Sequence, residues 1–256
     1  MNATATATVN TSAASNYDEA ADYIWNNSFD KPTLVVSRAR VGVQYDALQA
    51  GLGDARIHYA VKANPAPEII RMLVERGSGF DAASRQEIEL CLSQGADPAK
   101  ISFGNTIKRG VDIAFAHSIG VTMFAADCEA ELDKIAEHAP GARVYIRLIV
   151  ENSMADWPLT RKFGCAGSLL PSLLEYTKSV GLVPYGLSFH VGSQTRRAEY
   201  WHPVLDQVAP LWHAAKEAGH DLQLLNIGGG FPAFYGEAIE APTSYAANVM
   251  RQIDAR

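Results

Sequence analysis

The sequence predicts an α/β fold in which a parallel sheet curls towards a (β/α)8 TIM barrel and stops one strand short of closure. Three observations carry that expectation. Short apolar runs alternate with helical patterns along most of the chain, which calls for a parallel sheet. The first five runs begin about 20 residues apart, one strand-helix unit each. No G-x-G-x-x-G follows the first run, which argues against the competing open, doubly wound sheet.

The runs are RIHYAV (56–61), GFDA (79–82), KISFG (100–104), VTMFAA (121–126), RVYIRLIV (143–150), YGLSFHV (185–191) and LQLLNIG (222–228). After the first, Pro67 suits the opening turn of a helix whose stripe is Ile69, Ile70, Leu73 and Val74, with Gly77 as terminator. After the second, SRQE (84–87) is a capping box leading into Ile88, Cys91 and Leu92. After the fourth, Asp127 is the expected cap of a helix that turns Leu132, Ile135 and Ala136 inward. Residues 168–181 and 199–219 read as two further amphipathic helices, Pro171 marking a first turn and Pro210 a kink or break. Ahead of the barrel, 33–37 (TLVVS) reads as an extra strand, followed by a weak helix around 44–50. The expected organisation is a disordered tail over 1–16 and one barrel domain over 17–256.

Composition narrows the function. The 256 residues are 48% hydrophobic and 20% charged, the balance of a soluble globular domain. A net charge of −6 without basic runs argues against a nucleic-acid partner. No apolar run approaches the roughly 20 residues of a membrane span. Cys91, Cys128 and Cys165 form no C-x-x-C pair, which suits a reducing compartment and offers no metal site. The first 16 residues lack both the basic and the apolar features of a targeting segment, so a cytoplasmic location is expected.

Chemistry in a parallel barrel collects where the strands end. There the sequence places Lys62, Asp81, Ser84, Asn105, Arg147, His190, Ser193, Asn226 and Gly228 to Gly230. Lys62 is either a snorkelling lysine or a desolvated amine able to form a Schiff base. His190 is either a satisfied core histidine or an imidazole lying over an aromatic ring. Asp81 and Arg147 suit a salt bridge at the mouth as well as a ligand site. The three glycines read as serving no packing purpose: either they form a plain flexible turn, or they let backbone N–H groups approach an anion, with Ser193 adding a hydroxyl and its turn another N–H.

Five segments carry a family resemblance: YAVKANP (59–65), GFDAAS (79–84), KFG (162–164), SFHVGSQ (188–194) and NIGGGFP (226–232). In this order they resemble the fold-type III pyridoxal-phosphate enzymes, which include ornithine, diaminopimelate and arginine decarboxylases and, more distantly, alanine racemase. The resemblance runs from about residue 30 to 256. FDAAS followed by EIEL, SFHVGS and GGGFP are the forms of ornithine decarboxylases.

The resemblance implies an alanine-racemase-like barrel and pyridoxal 5'-phosphate as cofactor. Lys62 would hold the cofactor as a Schiff base and His190 would stack on its ring, the two catalytic positions. Ser193, Gly228, Gly229 and Gly230 would cradle its phosphate. Asp81 would be the acidic residue beside the lysine, and Arg147 would line the site. The implied reaction decarboxylates a small basic amino acid, ornithine to putrescine in polyamine biosynthesis, with lysine, arginine or diaminopimelate as alternatives. A non-catalytic, cofactor-binding or regulatory relative is the other reading. The complete family enzyme is a homodimer. An EPGR-like strand-eight motif and the C-terminal β-domain are not found in this sequence. The 33–37 strand would join that β-domain. The expectation is a chain cut short, marginally stable and of little activity alone.

Overall fold

The computed structural model describes residues 18–152, 154–157 and 162–256. The expected tail over 1–16 lies outside the described residues. Seven strands form one sheet: β1 (His58–Ala60), β2 (Gly79–Ala82), β3 (Ile101–Phe103), β4 (Met123–Ala126), β5 (Arg143–Arg147), β6 (Val183–Ser188) and β7 (Leu224–Asn226). They lie side by side in sequence order and every neighbouring pair is parallel. Parallel neighbours need crossovers. These are helices α3 (Pro67–Glu75), α4 (Arg85–Ser93), α5 (Gly110–Ser118), α6 (Glu129–His138), α7 (Leu170–Ser179) and α8 (His202–Glu217). Two helices precede the sheet, α1 (Asp18–Trp25) and α2 (Arg38–Leu52), and α9 (Pro242–Asp254) follows it. Among the described residues no helix is long and apolar enough to cross a membrane.

The sheet curls without closing. β3 and β4 are buried at every position, whereas β1 and β7 are only half-buried throughout. Among the described residues no strand joins these two edges. The helical layer closes where the sheet does not. At Gly51 of α2, a Cβ would collide with the Thr243 carbonyl of α9, and Thr243 Oγ1 donates to the Ala47 carbonyl at 2.8 Å. Between sheet and helices lies a core that includes Phe80, Phe103, Phe124, Leu132, Ile135 and Leu187.

Local signals explain most of the helix boundaries. Pro67 opens α3 and Pro171 lies in the first turn of α7. Ser84 caps α4, its Oγ accepting from the Glu87 N–H at 3.3 Å, while Glu87 Oε2 accepts from the Ala83 N–H at 2.6 Å. Residues 33–37 pair with no strand among the described residues, and Leu34 is 84% exposed. Ser37 caps α2, which starts earlier than the weak helix expected around 44–50. Two expectations need correction. Asp127 does not cap α6; its Oδ2 accepts from the Gly164 N–H at 2.8 Å, and Cys128 holds the cap position. Of the kink or break expected at Pro210, the break is overturned, since α8 runs through that residue.

Candidate active site

Because all seven strands run the same way, their C-terminal ends share one rim. Lys62 lies just past β1, in a single 3-10 turn over Val61–Ala63. Buried Val61 anchors that turn, and Asn64 Oδ1 ends it by accepting from the Ala66 N–H at 3.0 Å. The Lys62 side chain is exposed, so this chain does not provide the desolvation expected for it. Its charge nonetheless acts on both Asp81 and His190.

Asp81 stands on β2, in register with Ala60 of β1 and Ser102 of β3. Ser102 Oγ donates to Asp81 Oδ1 at 3.2 Å and lies 2.8 Å from the Tyr145 hydroxyl of β5. A carboxylate only accepts, so the order runs from the Tyr145 O–H to Ser102 and from the Ser102 O–H to Asp81. Gly104 makes room, since a Cβ there would overlap Asp81 Oδ1. Burial pushes the Asp81 carboxyl above its usual range, against the opposing pull of Lys62, the Ser102 hydrogen bond and Arg147. Burial, with the Asp81 charge added, also raises the Tyr145 hydroxyl.

Arg147 ends β5 on the rung shared with Ser188 of β6 and Asn226 of β7. No salt bridge of Arg147 with Asp81 is found among the described residues; its guanidinium lies 5.5 Å from the centroid of the Phe163 ring. His190 follows β6, half-buried, and its Nδ1 accepts from the Gly192 N–H at 2.9 Å. That bond puts the proton of the neutral ring on Nε2. Burial, then the charges of Arg147 and Lys62, hold the imidazole down at about 4. The ring is therefore neutral at neutral pH.

The glycine turn corrects the sequence reading. Gly228 and Gly230 do serve packing: both have positive φ (72° and 94°), and a Cβ would strike the Phe189 and Gly192 carbonyls respectively. The Gly228 N–H is already taken by Asn226 Oδ1 at 2.9 Å. The N–H groups of Gly229 and Gly230 have no partner among the described residues. Gly229 faces His190, whose Nε2 would lie 3.5 Å from an added Cβ. The turn around Ser193 offers less than expected. Its own N–H donates to the Trp157 carbonyl at 3.0 Å and the Gly192 N–H is held by His190, so only the Ser193 hydroxyl remains.

A lysine, a half-buried carboxyl, a neutral imidazole and two N–H groups without a partner among the described residues thus share one rim. Residues 38–256 match the family model of the pyridoxal-dependent decarboxylases, pyridoxal binding domain. The chain belongs to this family. Decarboxylase flvG of Aspergillus flavus is 37% identical over 215 residues, 84% of this chain and 50% of that protein. The lysine/ornithine decarboxylase of Selenomonas ruminantium is 37% identical over 201 residues, 78% of this chain and 51% of that one. A crystal structure of a mutant SrLDC in complex with PLP superposes with a TM-score of 0.83 at 34% identity, covering 89% of this chain and 59% of that one. The chain thus spans about half the length of the curated relatives it matches.

The family decarboxylates basic amino acids and its cofactor is pyridoxal phosphate. The residues present fit that group. The two unpartnered N–H groups suit a phosphate, and the space left by the missing Gly229 Cβ keeps the turn open beside His190. The primary amine of Lys62 is the one group here able to condense with an aldehyde. Sequence reasoning overlooked Ser102, Tyr145 and Gly104. Tyr145 is hidden in an apolar run, and nothing local ties it to Ser102, 43 residues away.

The depressed His190 gives a pH prediction. An unfolded histidine takes up its proton near 6.5, whereas the folded ring resists until about 4. Stability present above 6.5 is therefore lost as pH falls towards 4. Thermal unfolding from pH 7 to 4 should show a fall that His190→Asn makes shallower; equal slopes would contradict it. The comparison isolates His190 from His58, which burial also lowers.

Proposed function

We propose that this chain forms the cofactor-binding part of a decarboxylase for a small basic amino acid, ornithine ahead of lysine, arginine and diaminopimelate. The observation that carries it is the shared rim. Lys62 acts electrostatically on both Asp81 and His190, and the glycine turn with its two free N–H groups faces His190. The substrate class is supported by a relative whose name includes lysine and ornithine. The choice of ornithine rests on the FDAAS, SFHVGS and GGGFP forms. A cytoplasmic homodimer serving polyamine synthesis belongs to the same proposal.

When bound, pyridoxal phosphate supplies the electron sink that lets a carboxylate leave as CO2. The chain's own residues do the rest. Lys62 offers its amine to hold the cofactor. The Gly229 and Gly230 N–H groups, with the Ser193 hydroxyl, bind the phosphate. His190 presents an uncharged ring face. Asp81, held at Oδ1 by Ser102, keeps Oδ2 free to take or give a proton beside Lys62. Arg147, on the strand beside the one that carries His190, adds a positive charge that acts on both His190 and Asp81.

The test follows CO2 from carboxyl-labelled ornithine, lysine and arginine with the purified protein. Fastest release is expected from ornithine, with loss of release in Lys62→Ala. Release from none of the three, or unchanged release in Lys62→Ala, would contradict the proposal.

A further inference from the structure

Gln194 closes the SFHVGSQ segment, and the roles set out so far leave it without one. Its φ is 54°, and it is the one non-glycine residue with positive φ among the described residues. An L side chain is disfavoured in that region. What the conformation gains is a reciprocal pair of bonds. Gln194 Nε2 donates to the Ala233 carbonyl at 3.0 Å, and Gln194 Oε1 accepts from the Ala233 N–H at 2.7 Å. Both main-chain groups of Ala233 are thus captured, as a neighbouring strand would capture them.

Ala233 lies three residues beyond Gly230, the last glycine of the turn. Next to Gln194, the Thr195 N–H donates to the Gly230 carbonyl at 2.9 Å. The Gly192 carbonyl presses against Gly230 where a side chain would stand, and the Gly192 N–H is bonded to His190. The loop after β6 and the turn after β7 are therefore tied at several points from His190 to Ala233, and Gln194 makes the outermost tie with its side chain. Glycine would sit at this φ without strain but has no amide. Asparagine tolerates the φ better and is one methylene too short.

We propose that Gln194 is a positioning residue: its amide latches the glycine turn to the loop carrying His190 and so fixes the anion-binding N–H groups of Gly229 and Gly230. This rests on the reading of the turn as a phosphate cradle. Gln194 acts through the backbone and touches neither phosphate nor ring. Its loss should therefore weaken recognition of the phosphate and leave recognition of the ring and aldehyde unchanged.

Pyridoxal and pyridoxal phosphate separate those two effects, because they differ only in the phosphate. Their affinities are measured by visible absorption on the chain, Gln194→Ala and Gln194→Gly. The wild-type chain should prefer the phosphorylated form. Both variants should lose about tenfold in that preference while binding pyridoxal as before. Unchanged pyridoxal binding also shows that the variants are folded. A preference that survives in both variants, or that Gly restores by relieving the strained φ, overturns the latch. A wild-type chain without any preference overturns the phosphate cradle itself, and the latch with it.

Discussion

Trp201→Ala is expected to lower the unfolding free energy by about 3–5 kcal/mol and to loosen the glycine turn as it does so. The indole is fully buried, and Phe231, the residue after the three glycines, packs between it and Tyr245 with centroid distances of 5.5 Å on each side. Trp201 Nε1 donates to the Tyr245 hydroxyl at 2.9 Å, and that hydroxyl donates to the Thr195 carbonyl. Truncation therefore empties a large volume and leaves the Tyr245 oxygen without its donor. Urea unfolding checks it. A loss below about 1 kcal/mol would mean that the neighbours collapse into the space, and that the support of the turn lies elsewhere.

Glu131→Ala is expected to cost a similar amount, about 3–5 kcal/mol, for an electrostatic reason. Glu131 and Lys108 are both buried, and their charged ends are 2.8 Å apart. The Lys108 amine also donates to the carbonyls of Asn105 and Ala125, 2.8 and 2.6 Å away, so it ties the end of β3 to β4. Burial draws this amine down to about 8 even with Glu131 beside it. Removing the carboxylate strands a buried cation; Lys134, the other partner of Glu131, is partly exposed and finds water. The double variant Lys108→Met/Glu131→Leu should recover most of the loss, because the stranded charge goes with the pair. Urea unfolding of the single and double variants measures both. A single variant as stable as the wild type, or a double variant no better than the single, would contradict this account.

The sheet order was legible in the sequence because parallel strands buried on both faces read as apolar runs, and Pro67 and Ser84 mark where the helices between them begin. The 33–37 run shows the limit of that reading. Its β-branched residues suit a strand, but pairing depends on what lies alongside, and local sequence carries no record of that. The Asp127 cap failed because Gly164, 37 residues on, competes for the carboxylate.

At the candidate site, the strand-end positions of Lys62, Asp81, Arg147 and His190, and of the glycine turn, were legible in the sequence. Their surroundings were not. The three glycines look alike in sequence, and only the approach of the Phe189 and Gly192 carbonyls separates the two that packing requires from the one that stays open. The sequence left Lys62 between a snorkelling and a desolvated amine, and it proves exposed, since burial is set by neighbours distant in the chain. Tyr145, Ser102, Lys108 and Glu131 draw their meaning from partners 23 or 43 residues away, beyond any local pattern.

The central claim is that Lys62 is the amine that holds the cofactor. Mixing the chain with an equimolar amount of pyridoxal phosphate, reducing with borohydride and mapping the modified peptide tests it directly. The label should fall on Lys62, at one per chain, and should vanish in Lys62→Ala. A label spread over surface lysines such as Lys31, Lys100 and Lys178, or unchanged in Lys62→Ala, would contradict it.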